Sequence, residues 1–250
     1  MENKEIIKDG ENVKDAEMIS VLMIGQSNMS GRGDLGEVPE IINPDCYMLR
    51  MGRWQPLREP VNVDRPLSGI PFPSGVSMAS SFADGLAKHT GLKVGMIPCA
   101  DGGTKVEQWQ PGEILYDHAV MQCRLAMRTS RLAGVIWHQG ESDSGGDPEV
   151  YKERLIKLFT SLRADLGNPE LPIVAGEISP HITAQWFIGR HLEVAARMNE
   201  IYHSLENELP RFAVASTRGL ALRSDGIHFS AASQNELGLR YLEKYINICK

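Results

Sequence analysis

Long apolar runs are missing from this chain of 250 residues: no segment reaches the roughly 18 residues of a membrane-spanning helix. A basic stripe is missing as well, and the formal net charge of -6 argues against a nucleic-acid partner. Residues 1–10 lack the apolar core of a signal peptide, so nothing in them directs export. The default expectation is a cytoplasmic protein without a membrane partner.

Cysteine is scarce, and motifs for cofactors are absent. The four cysteines form no close pairs, and a domain of this size does not depend on disulfides, so we expect free thiols. No G-x-x-x-x-G-K-[ST] motif is present, which counts against nucleotide binding. No paired histidine spacing such as H-x-x-x-H occurs either, so we expect no metal and no cofactor.

Short apolar runs alternate with helical patterns along the chain. Such alternation is typical of a parallel sheet covered by helices on both faces, which predicts a three-layer α/β/α sandwich. We expect a polar tail over residues 1–16 and a single domain over 17–250. The predicted strands are 19–24, 93–98, 134–138, 172–177 and 212–216.

Helix starts are also readable from the sequence. Asp147 followed by Pro148 predicts an N-cap and a first helical residue, and Ser230 predicts the cap of the last helix. Residues 31–75 carry many Pro, Gly, Asn and Asp residues and no sustained period. A loop of that length is usually functional, so we expect it to wall a site.

One hydroxyl group stands where the first apolar run stops, in the sequence Gly25-Gln-Ser27-Asn28. Ligands of open parallel sheets bind at the carboxyl ends of the strands, which makes Ser27 a candidate nucleophile. A serine in this position can also be a plain helix cap, and the segment alone does not decide between the two roles.

A second segment, Asp225-Gly-Ile-His228, precedes the last helix and supplies the other parts of an acyl-transfer site. The carboxylate of Asp225 can hold one imidazole nitrogen of His228, leaving the other to take the proton of Ser27. The alternative is a turn in which Asp225 caps the helix and His228 only packs.

Candidate oxyanion donors follow two further strands. Gly103 lies in a Gly-Gly turn whose backbone N–H can approach a reacting carbonyl, and Gln139 offers a side-chain amide at the same edge. Together with the N–H of Ser27 they make a plausible set of three donors.

These blocks together resemble the SGNH hydrolases, and more narrowly their carbohydrate acetylesterase branch, which includes sialate O-acetylesterase-like and acetyl xylan esterase domains. The blocks are Gly25-Gln-Ser27-Asn-Met, Gly102-Gly103-Thr104, Trp137-His-Gln139-Gly-Glu141-Ser-Asp143 and Asp225-Gly-Ile-His228-Phe-Ser. The resemblance implies a flavodoxin-like sheet of five parallel strands and a serine esterase that removes O-acetyl groups from carbohydrates through an acetyl-serine intermediate.

The resemblance also implies roles for individual residues. It makes Ser27 the nucleophile, His228 the base and Asp225 the orienting acid, with Gly103 and Gln139 at the oxyanion. The wider superfamily usually has asparagine where this chain has Gln139, whereas the acetylesterase branch has glutamine. Some members of the branch use the glutamate matching Glu141 to orient the histidine, so Asp225 and Glu141 both stay candidates.

The expected partner is an acetylated sugar or oligosaccharide. Asn28, Trp54 and Trp109 are candidate substrate contacts, since indole rings can stack on sugar faces. A lipid esterase or thioesterase of the same superfamily and a non-catalytic sugar-binding module are the alternatives. Nothing in the sequence indicates the oligomeric state.

Overall fold

A computed structural model describes residues 18–62 and 73–250. The predicted tail over 1–16 and the middle of the long predicted loop lie outside the described residues. A seven-stranded sheet in the order β3-β2-β4-β1-β5-β6-β7 organises the described chain. All neighbouring strands are parallel except β2 and β3, which pair antiparallel.

The strands are β1 (Met18–Gly25), β2 (Cys46–Arg50), β3 (Arg53–Pro56), β4 (Lys93–Pro98), β5 (Arg131–His138), β6 (Ile173–Gly176) and β7 (Phe212–Ala215). The helices are α1 (Ser27–Ser30), α2 (Ala79–Thr90), α3 (Ile114–Ala126), α4 (Pro148–Asp165), α5 (Arg190–Leu205) and α6 (Ala231–Ile248). Two short 3-10 turns cover Val106–Trp109 and Glu141–Asp143.

The three-layer prediction and its five strands are confirmed, but the sheet is larger than predicted. Strands β2 and β3 come from the segment that the sequence pattern assigned to a loop. They form a hairpin in which Arg50 pairs with Arg53 across Met51 and Gly52. Both turn residues have positive φ, 51° and 74°, as the two-residue hairpin turns of type I′ require.

The core lies on both faces of the sheet because side chains alternate along each buried strand. Ile19, Val21 and Met23 of β1 point into the layer that α2 and α6 cover. Leu22 and Ile24 point to the opposite layer, which α3, α4 and α5 cover. Burial on both faces explains why the central strands are near-continuous apolar runs.

Two predicted helix caps are confirmed. The side chain of Asp147 accepts a hydrogen bond of 2.9 Å from the N–H of Glu149 at the start of α4. The hydroxyl of Ser230 accepts one of 3.2 Å from the N–H of Ser233 at the start of α6. Each cap satisfies a backbone donor that the helix itself leaves unpaired.

Strand β1 sits at the point where the chain order reverses, since β4 lies on one side of it and β5 on the other. The crevice above such a point is where open α/β sheets bind ligands. No helix in the described part of the chain is long and apolar enough to cross a membrane. All four cysteines are free and buried.

Candidate active site

A tight turn at Gly25 places Ser27 at the carboxyl end of β1. Gly25 has φ of 134°, and a Cβ atom there would lie 2.1 Å from the carbonyl oxygen of His138 on the neighbouring strand. The same carbonyl accepts a 2.9 Å hydrogen bond from the N–H of Gln26. Only glycine fits so close an approach at that backbone conformation, and the turn lets the chain enter α1 at Ser27.

The structure brings Ser27, His228 and Asp225 into one chain of hydrogen bonds. His228 Nε2 lies 3.0 Å from Ser27 Oγ, and His228 Nδ1 lies 3.0 Å from Asp225 Oδ2. The other oxygen of Asp225 accepts 3.0 Å hydrogen bonds from the N–H groups of Ile227 and His228. The carboxylate therefore orders its own turn and fixes the imidazole.

Burial and nearby charges set the protonation of this pair. Burial lowers the pKa of His228, the carboxylate of Asp225 raises it in part, and the guanidinium groups of Arg32 and Arg223 lower it further, for a net fall. Burial alone would raise the pKa of Asp225, but hydrogen bonds from His228 and Ile227 outweigh it and lower that pKa. At neutral pH the imidazole is thus neutral beside an ionised carboxylate, the state that a general base requires.

Two backbone donors face the same edge of the sheet. Gly103, which is exposed with φ of 76°, lies in a loop whose Asp101 N–H donates a 2.9 Å hydrogen bond to Gly25. Among the described residues, no atom accepts a hydrogen bond from the N–H of Ser27 or of Gly103. Both are therefore available to a developing oxyanion.

The side chain of Gln139 has a different environment from the one predicted for an oxyanion donor. It is fully buried, and its amide nitrogen lies 2.9 Å from the carbonyl oxygen of Thr104, 3.1 Å from Gln26 Oε1 and 2.6 Å from Asp143 Oδ2. The two amide hydrogens already have acceptors within the protein. Gln139 instead ties the loop that carries Gly103 to the turn before Ser27.

Asn28 also has a structural role where a substrate contact was predicted. Its side chain is buried, donates 2.7 Å and 3.3 Å hydrogen bonds to Glu141 Oε1 and the Ile227 carbonyl, and accepts one of 3.2 Å from the Phe229 N–H. These bonds leave none of its polar atoms for a sugar. Asn28 joins the turn of Ser27 to the turn that carries His228.

Glu141 reaches the triad only through that asparagine. Its carboxyl group contacts Asn28 and makes no hydrogen bond with His228, while Asp225 holds the imidazole directly. Burial raises the pKa of Glu141, and the hydrogen bond from Asn28 only partly opposes that rise. The geometry therefore favours Asp225 as the orienting acid.

Neither predicted stacking tryptophan lines the site. Trp109 is fully buried, packs edge-to-face on Trp137 at 5.7 Å, and donates a 3.0 Å hydrogen bond to Thr104. Trp54 lies over Gly95, which pairs with Ser20 near the start of β1 and so far from its carboxyl end. A tryptophan in a loop-like sequence can still turn its ring into the core, as Trp109 does.

Two residues of the site were given no role in the sequence analysis. Gln26 Oε1 accepts hydrogen bonds from Gln139 and from the N–H groups of Gly140 and Ser142. Thr104 joins Trp109 and Gln139. Their only signal was adjacency to the glycines of the two turns. Within residues 18–62 and 73–250, no group of three or more His, Cys, Asp or Glu side chains is placed to hold a metal ion.

A serine, a histidine and a carboxylate joined by hydrogen bonds above a parallel sheet are the arrangement found in serine hydrolases with the SGNH fold. The family profile described as carbohydrate esterase, sialic acid-specific acetylesterase matches residues 18–247, and the chain belongs to that family. This protein is accordingly a carbohydrate esterase.

Similar proteins agree with this placement. A protein of Arabidopsis thaliana named as a probable carbohydrate esterase is 29% identical over 91% of this chain and 90% of its own. A crystal structure of an Arabidopsis thaliana protein superposes with a TM-score of 0.80 at 27% identity, covering 93% of this chain and 99% of that one. A carbohydrate acetylesterase from Xanthomonas citri shares the fold at 17% identity, with a TM-score of 0.66 over 92% of this chain and 56% of that one.

Proposed function

We propose that this protein is a serine esterase that removes O-acetyl groups from carbohydrates through an acetyl-serine intermediate. The observation that carries the proposal is the unbroken chain from Ser27 Oγ to His228 and from His228 to Asp225, with both contacts at 3.0 Å. Family membership supplies the carbohydrate ester as the substrate class.

The first half of the reaction acylates the serine. Ser27 Oγ attacks the acetyl carbonyl carbon while His228 Nε2 takes its proton, and the N–H groups of Ser27 and Gly103 hold the oxyanion. The tetrahedral intermediate then collapses as His228 gives that proton to the departing sugar oxygen. The sugar leaves with a free hydroxyl group, and the acetyl group stays on Ser27.

The second half repeats the cycle with water. His228 accepts a proton from water, whose oxygen attacks the acetyl-serine carbonyl, and returns the proton to Ser27 Oγ as acetate leaves. No step requires a cofactor. Asp225 stays ionised throughout and stabilises the imidazolium that forms in each half.

The remaining buried groups position the reacting ones. Glu141 holds Asn28, which in turn holds the backbone on either side of His228. Gln139 holds the loop of Gly103 against the turn of Ser27. These residues act through others and touch no reacting atom.

Acetate release from a panel of acetylated sugars tests the proposal. The native protein should release acetate, Ser27→Ala should release none above background, and Ser224→Ala should keep native activity. Ser224 is a matched control because its side chain is exposed one residue before Asp225. Turnover of acyl chains of lipid length in preference to acetyl groups would favour the lipid esterase or thioesterase alternative. Sugar binding without acetate release would favour a binding module.

A further inference from the structure

A loop of residues 177–189, here called the rim loop, joins β6 to α5 at the same sheet edge as the triad. The N–H groups of Thr183 and Ala184 donate hydrogen bonds of 2.8 Å and 3.1 Å to the carbonyl of Gly226, two residues before His228. A Cβ atom on Gly226 would lie 2.5 Å from Thr183 Oγ1, so the two segments are in close contact. The rim loop is therefore fixed to the turn that carries the catalytic base.

Trp186 of the rim loop is exposed although the loop around it is anchored. The side chains of Ile182, Ala184 and Phe187 are buried, whereas Trp186 is 58% exposed. Its ring meets Phe187 at 5.3 Å and 78°, and His191 at 6.0 Å and 76°. Both contacts are of the edge-to-face kind, so neither neighbour covers the indole by parallel stacking.

A second set of contacts ties this indole to the other side of the site. His191 Nδ1 lies 2.9 Å from Ser144 Oγ, and that buried hydroxyl donates a 2.7 Å hydrogen bond to the carbonyl of Glu141. Because the Ser144 proton is used on Glu141, the imidazole donates to Ser144. Trp186 thus rests on a histidine held by the Gln139–Glu141 segment, while its own loop is held by Gly226.

We propose that Trp186 is the sugar-binding platform of this esterase, against which the pyranose ring of the acetylated substrate stacks. The inference rests on the proposed function and specifies the substrate contact that Trp54 and Trp109 do not provide. An aromatic ring at the rim binds at little entropic cost, since a tryptophan side chain has only two torsions to be frozen. The C–H face of a pyranose is the apolar surface of matching size.

The chemistry of a sugar and an indole ring explains why an exposed tryptophan can bind the substrate here. Burying the hydroxyl groups of a sugar in an apolar pocket costs free energy, because they lose their hydrogen bonds to water. A sugar can instead stack one C–H face on an aromatic ring while its hydroxyl groups stay hydrated. An open rim also accepts a sugar within a longer chain. Trp186 accordingly determines preference for carbohydrate over non-carbohydrate acetates without touching the reacting carbonyl.

Paired substrates test the proposal on the whole 250-residue chain. Trp186→Ala should lower kcat/KM on a peracetylated hexose or pentose by roughly tenfold, almost wholly through KM. The same variant should hydrolyse ethyl acetate, which has no ring to stack, within about twofold of the native rate. Trp186→Phe should recover most of the lost activity on the sugar. Ile188→Ala, an exposed apolar control in the same loop, should leave both substrates unchanged.

Titration with the deacetylated sugar supplies a second readout that does not depend on turnover. Tryptophan fluorescence should change on sugar addition in the native protein and not in Trp186→Phe. The proposal is overturned if Trp186→Ala loses activity equally on the sugar acetate and on ethyl acetate, or if its KM for the sugar acetate is unchanged. A native protein that releases no acetate from any sugar would refute the proposed function instead, which separates the two failures.

Discussion

Replacing each candidate orienting acid by its amide distinguishes the roles of Asp225 and Glu141. Asp225 Oδ2 lies 3.0 Å from His228 Nδ1, whereas the carboxyl group of Glu141 accepts a 2.7 Å hydrogen bond from Asn28 and none from His228. Asp225→Asn removes the charge that stabilises the imidazolium and can invert the tautomer of the histidine. Glu141→Gln keeps an oxygen that accepts from Asn28, so the geometry around His228 should survive.

The magnitude follows from Coulomb's law. Opposite charges about 4 Å apart interact by about 4 kcal/mol at an effective dielectric constant near 20. The side chain of Asp225 is 38% exposed, and screening by water reduces that figure. A residual of about 3 kcal/mol corresponds to roughly a hundredfold loss in kcat/KM. Glu141→Gln should lose less than about tenfold, because it removes no charge next to the reaction.

The pH profile provides a readout that a purely structural defect would not shift. The carboxylate of Asp225 raises the pKa of His228, so its removal should move the acid limb of kcat/KM to lower pH, while Glu141→Gln leaves the limb in place. Both variants are compared with Ser224→Ala, and circular dichroism checks that each is folded. A loss of kcat/KM in Glu141→Gln as large as that in Asp225→Asn would refute the assignment of Asp225 as the acid that orients His228.

Three further outcomes are expected. The acid limb of kcat/KM in the native protein should have an apparent pKa below 6.5, since burial lowers the pKa of His228 and activity needs the neutral ring. Initial rates measured over a series of pH values give this apparent pKa, and a value above 6.5 would contradict the described environment. Asn28→Ala should lower the free energy of unfolding by about 2–4 kcal/mol in urea melts, because the Phe229 N–H and the buried carboxyl group of Glu141 both lose their hydrogen-bond partner. A change under about 0.5 kcal/mol would count against the structural role of Asn28. Gly25→Ala should abolish activity and lower the melting temperature, as its methyl group would collide with the His138 carbonyl, and native-like turnover would show that the turn is more tolerant than described.

The strands that carry the site were readable from the sequence because they are buried on both faces. The prediction of 93–98 coincides with β4, and the caps at Asp147 and Ser230 follow local hydrogen-bonding chemistry that needs no tertiary information. The hairpin of β2 and β3 was missed because its strands are short and partly exposed at the sheet edge. Its turn, Met51-Gly52, is not one of the dipeptides that mark a two-residue hairpin in a sequence.

Side-chain direction is what the sequence does not contain. Ser27, Asp225 and His228 could be chosen because their chemistry and order restrict the arrangement, and the structure brings them together. Gln139 was predicted as an oxyanion donor and Asn28 as a substrate contact because both are polar and near the strand ends. In the structure Asn28 instead donates a hydrogen bond to Glu141, which lies more than a hundred residues away in sequence. Only the folded structure reveals such a pairing.

Covalent trapping of the nucleophile tests the central claim most directly. The protein is incubated with a fluorophosphonate, digested, and mapped by mass spectrometry while acetate release is followed on the same samples. We predict a single adduct on Ser27, with activity falling in proportion to labelling, and no adduct in Ser27→Ala. An inactivated enzyme whose Ser27 is unmodified, or a fully labelled enzyme that still releases acetate, would contradict the account.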